Sequence, residues 1–142
     1  QRQMCIRDRD CERWLYQHYG KKPLSATFDR LGNNATLALS MLPRLGDLQL
    51  VPKRARAAGR AVLEVYPALA KMGGKASAVR PELQPHLPAI LIPGTDPYDA
   101  ALCALMALQY AAEGAVTSLP ALVDLPEEMA PDEGWVYHFA RD

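Results

Sequence analysis

The stretch DPYDAALCALMALQYAAE, from Asp96 to Glu113, constrains the fold of this chain more than any other. It is built from strong helix formers, opens on an Asp-Pro pair and is closed by Gly114. A helix from Asp96 to about Ala112 follows. Its longest apolar run, Ala100 to Leu108, is far short of the roughly 20 residues that a bilayer crossing needs. The expected context is therefore a largely buried helix within a soluble α/β domain, with no membrane partner.

Composition supports that context. A chain of 142 residues suits one domain, and 49% apolar with 23% charged residues argues for a packed core over disorder. Lysine plus arginine number 16 and aspartate plus glutamate 16, so no global charge draws the chain to nucleic acid or to an anionic membrane. A local patch can still act alone. Cys5, Cys11 and Cys103 are odd in number and lack a scaffold spacing, which argues against a disulfide-built secreted protein. Cys103 reads as a small buried hydrophobe. The polar stretch from Gln1 to Glu12 is unlike a signal peptide, and a cytoplasmic location is expected. Met4 to Arg9, MCIRDR, resembles a translated sequencing-adapter tail. Residues 1–9 are accordingly expected to be non-native or disordered, and the native chain to continue upstream.

Shorter elements are also legible. Asp10 to Tyr19 predicts a helix with Trp14 and Leu15 toward a core and Gly20 as its stop. A second helix is expected from about Ala35 to Leu42, capped by Asn33 or Asn34. Ala61 to Tyr66, AVLEVY, is the clearest strand, ended by Pro67. Ala68 to Met72 predicts a brief helix, Glu82 a turn, and Ala89 to Ile92 a second strand. Ser118 to Pro131 is irregular, and Trp135 to Phe139 alternates like a closing edge strand.

Two readings compete for the acidic residues. In the first, Asp96 caps the helix, Pro97 takes the first helical position and Asp99 meets the positive end of the dipole. In the second, the pair joins Glu64. A glutamate between Leu63 and Val65 in an apolar strand is costly to bury unless paired or metal-bound. It also stands near the carboxyl end of its strand, where open α/β sheets bind ligands. Against this, Glu64 could simply face solvent on an edge strand. Three or four carboxylates around Mg²⁺ suit phosphodiester hydrolysis.

The runs VLEVYPALA at 62–70, DPYDAALCALMALQYAAEG at 96–114 and EGWVYHF at 133–139 resemble the DUF429 family of predicted nucleases. DCERWLYQ at 10–17 and FDRLGNNA at 28–35 look like further family segments. The resemblance covers most of the chain. It implies an RNase H-like fold related to the RuvC resolvase group, with residues 10–142 forming the C-terminal portion of a single domain. It also implies Mg²⁺ or Mn²⁺ held by a first-strand aspartate, a glutamate at the end of the fourth strand, and aspartates at the start of the last core helix. Glu64 matches the glutamate, and Asp96 and Asp99 match the helix pair. Nothing matches the first aspartate, which is expected upstream.

Other residues have plainer roles open to them. Lys53, Arg54, Arg56 and Arg60 suit phosphate contacts or a solvated loop. Arg13 suits the acidic cluster, a substrate phosphate or plain surface. Tyr66 and Tyr98 flank the acidic positions and suit base stacking or the core. His18, His86 and His138 have no metal-ligand spacing. The leading expectation is a metal-dependent nuclease acting on DNA or RNA, with Glu64, Asp96 and Asp99 as metal ligands and catalytic residues, and Arg54, Arg56 and Arg13 on the substrate. The alternative is a non-catalytic binding or scaffold protein of the same fold.

Overall fold

A computed structural model describes residues 9–21, 40–41, 44, 46, 48–51, 60–74, 76–131 and 134–141. Among them it is a small mixed α/β fold, in two compact units. One unit takes residues 1–62 and 126–135, the other 63–125 and 136–142.

In the first unit, α1 spans Asp10–Tyr19 and buries Cys11, Glu12 and Leu15. Glu12 is tolerated inside because the Arg9 Nε donates to it at 3.1 Å. Gly20 ends the helix at φ 62, a left-handed conformation that glycine adopts without strain, and its N–H donates to the Tyr16 carbonyl. Trp14 stacks on His18, and its ring meets Trp135 edge-on at 5.2 Å between centroids. The strands β1, Gln49–Leu50, and β2, Ala61–Val62, pair in parallel. Of the helix expected over 35–42, only Ser40 and Met41 are described, and both are helical. The rest of that helix, the basic run Lys53, Arg54 and Arg56, and residues 1–8 lie outside the described residues.

The second unit carries β3, Glu64–Val65, α2, Asp96–Ala111, and β4, Val136–Tyr137. β3 and β4 run parallel, with Glu64 opposite Val136 and Val65 opposite Tyr137. The single strand expected over 61–66 is thus divided at Leu63, and each half has its own partner. The chain then turns through a 3-10 helix at Pro67–Ala70, which packs on α2. Helix α2 buries Tyr98, Leu102, Met106 and Gln109, one face at helical spacing. Its other face is open, and Leu108 is exposed. The expectation of a largely buried helix is therefore corrected to one buried along a single face, its exposed positions being mostly alanine. The buried face meets Ala70, Val79, Leu83, Leu87, Leu119 and Phe139 in one core.

Gln109 is buried inside that core and its amide donates to the carbonyls of Val116, Leu119 and Pro120 at 3.1–3.3 Å. These bonds tie down the irregular loop after the helix. Ala89 to Ile92 is not a strand. Pro88 and Pro93 bracket it, Leu91 N–H turns back to the Pro88 carbonyl, and Ile90 and Ile92 are exposed. Trp135 to Phe139 does not alternate, because all five residues are buried.

Candidate functional site

The start of α2 differs from the capping arrangement. The N-cap position falls on Thr95, whose carbonyl accepts the Asp99 N–H at 3.2 Å. The Thr95 hydroxyl turns away and donates to the Ile92 carbonyl at 2.7 Å, so no side chain caps the helix. Asp96 is exposed in the first turn. Asp99 lies one turn further on, its side chain 32% exposed, and its carboxylate meets the Lys71 ammonium at 2.5 Å.

Lys71 is the residue that sequence reasoning missed. Its side chain is 1% exposed, and its ammonium also stands 5.8 Å from the centre of the Tyr98 ring. The local backbone explains how it gets there. Lys71 bridges Val79 in antiparallel fashion, flanked by bonds from Arg80 N–H to the Ala70 carbonyl and from Met72 N–H to the Ala78 carbonyl. The Val79 N–H donates to the buried Tyr98 hydroxyl at 3.0 Å, which fastens this ribbon to α2. The one sequence signal was position. Lys71 directly follows Leu69 and Ala70, the end of an apolar run.

Glu64 is half-buried in β3, three residues before the 3-10 turn that leads to Lys71. The 3-10 turn after β3, not the strand itself, is the element that packs on the helix carrying Asp96 and Asp99. The three carboxylates do not gather into a cluster. Among the described residues, no group of three or more His, Cys, Asp or Glu side chains is arranged to hold a metal ion. The donor set, all carboxylate oxygens, still has the chemistry that Mg²⁺ or Mn²⁺ prefers. The Lys71 ammonium stands on Asp99 as a cation of the protein's own.

Of the other candidates, Tyr98 belongs to the core, at 1% exposure. Tyr66 is half-buried, and burial pushes its hydroxyl pKa up. Arg13 is exposed and pairs with Asp10. Arg54 and Arg56 lie outside the described residues. Cys103, one turn beyond Asp99, is half-buried. Burial first, and the Asp99 charge second, push its thiol pKa up. His138 is buried, and its Nδ1 donates to the Val136 carbonyl at 2.9 Å. Its pKa is pushed down by burial above all, with the charges of Arg141 and Arg80 adding to the effect.

Comparison with protein-family models, curated proteins and solved structures finds no match to this chain. No helix among the described residues is long and apolar enough to cross a membrane.

Proposed function

We propose that this chain is part of a metal-dependent nuclease of RNase H-like fold, with Glu64, Asp96 and Asp99 contributing to a site for Mg²⁺ or Mn²⁺. One observation carries the reading. Neither carboxylate of the first turn of α2 is used to cap the helix, and one of them faces a buried ammonium delivered by the segment after Glu64. Capping was the plain explanation for the pair, and it leaves the carboxylate–ammonium contact unexplained. A buried ammonium held against a single carboxylate is an expensive feature, and such features concentrate at functional sites.

In this reading Asp99 is a ligand held in reserve. Lys71 balances its charge and fixes its rotamer while no metal is bound. Asp96, exposed in the same turn, is open to solvent for an incoming cation. A divalent cation would supply charge stabilisation at phosphorus and orient the attacking water. The helix terminus adds a positive potential that favours negative charge at this turn. DNA and RNA are both suitable substrates for this chemistry.

The test is cleavage of a panel of labelled DNA and RNA oligonucleotides with Mn²⁺, using the product of the complete open reading frame. Metal-dependent cleavage that Glu64→Gln and Asp99→Asn abolish, with circular dichroism unchanged, is expected. Equal cleavage by wild type and both variants would remove the assignment.

A second reading has its own observation. The Val79–Tyr98 hydrogen bond and the Lys71–Asp99 pair act on the same ribbon, so the pair also suits a purely structural clasp in a non-catalytic binding or scaffold protein. In that case oligonucleotides are bound or ignored, never cut.

A further inference from the structure

Lys71 faces more than Asp99. With Met72, Arg80, Glu82 and Arg141 it lines an open cleft of about 320 Å³ in the second unit. That volume is at the small end for ligand pockets. Three cations and one carboxylate form its charged lining.

The two guanidinium groups are pre-positioned. Arg80 Nη1 donates to the Ala140 carbonyl at 2.8 Å, and Arg141 Nη2 donates to the Leu69 carbonyl at 2.8 Å. These bonds come from segments about sixty or seventy residues apart in sequence, so the cleft exists only in the folded unit. A carbonyl partner fixes the plane of a guanidinium and leaves its positive charge intact. Glu82 lies beside Arg80 Nε at 3.1 Å with its side chain 40% exposed, at the edge where an incoming anion competes with it.

We propose that this cleft binds a phosphate group, held by Arg80 and Arg141 with Lys71 at its base. Planar guanidinium forks match the oxygens of phosphate in paired hydrogen bonds, and an ammonium adds a point charge. A compact, multiply charged oxyanion gains more from neighbouring guanidinium groups than a single carboxylate does. The group can come from a free phosphate compound or from a nucleic-acid backbone. The cleft shares Lys71 with the proposed metal ligand Asp99, while its two arginines are held independently of that pair.

The experiment is titration of the 142-residue chain with inorganic phosphate, and separately with a short single-stranded DNA, both in EDTA so that no metal contributes. Saturable binding of either is expected. Arg141→Gln and Arg80→Gln should each weaken it about tenfold, the scale of one charged hydrogen bond. Glu82→Gln should strengthen it, and this exposed change keeps the test usable if an arginine variant fails to fold. Binding of phosphate alone assigns the site to a small phosphate compound. Binding of DNA, with a salt dependence that Arg80→Gln reduces, assigns it to a nucleic-acid backbone. Failure of both ligands to bind, or affinities that Glu82→Gln leaves unchanged or weakens, would overturn the proposal.

Discussion

Asp99→Asn and Lys71→Met remove the same ion pair, yet the two should have very different costs. The Lys71 side chain is 1% exposed and the Asp99 side chain 32%. Asp99→Asn takes the carboxylate away from a buried ammonium. Breaking a fully buried pair from one side costs about 3–5 kcal/mol. Water reaches Asp99, so part of the attraction is already screened, and the expected loss is about 2–3 kcal/mol. Lys71→Met leaves a carboxylate that solvent can reach and replaces a desolvated ammonium with an apolar chain of similar volume. Its expected effect is within about 1 kcal/mol of zero. The double variant should resemble Lys71→Met alone, because the methionine removes the charge that Asp99→Asn would strand. Urea unfolding at pH 7, with matched slopes, measures all three. An empty metal site governed by carboxylate repulsion would instead be stabilised by neutralising Asp99. A loss under about 0.5 kcal/mol for Asp99→Asn, or a larger loss for Lys71→Met than for Asp99→Asn, would refute the reasoning.

Other outcomes follow from the same geometry. Tyr98→Phe removes the acceptor for the buried Val79 N–H and should cost about 1–3 kcal/mol in urea unfolding, against almost nothing if water replaces the hydroxyl. His138 has a depressed pKa in the folded state, so between that value and its ordinary value near 6.5 the unfolded chain binds the extra proton. Its contribution to stability is therefore complete above about pH 6.5 and is lost as pH falls, and His138→Gln should flatten this part of the stability profile. Cys103 has its thiol pKa raised, so iodoacetamide should modify it more slowly at pH 8 than an unperturbed thiol, and Asp99→Asn should speed the reaction by removing a nearby negative charge.

What could be read in the sequence was what local chemistry decides. Helix α2 announced itself through Pro97, a run of helix formers and Gly114, and α1 through Gly20. The strand over 61–66 was visible as apolar and β-branched. Its division at Leu63 was not, because the partners of the two halves lie at Gln49–Leu50 and Val136–Tyr137, far away in sequence. Ala89 to Ile92 had strand composition, and its flanking prolines overrode that composition. The carboxylate candidates stood out in the sequence because Glu64 interrupts an apolar strand, but the described residues do not gather them into a metal-holding group. The cations of the cleft did not stand out. Lys71, Arg80 and Arg141 look like ordinary surface cations until an antiparallel bridge and two long-range carbonyl contacts bring them together.

In the proposed function Asp99 and its neighbours bind a divalent cation, and Lys71 stands on one ligand in its absence. Calorimetric titration of Mn²⁺ into the full open-reading-frame product tests it most directly. Lys71→Met should bind Mn²⁺ more tightly than wild type, because no ammonium has to be displaced, while Glu64→Gln and Asp99→Asn should bind it more weakly. The same Mn²⁺ affinity in wild type and all three variants would contradict the claim.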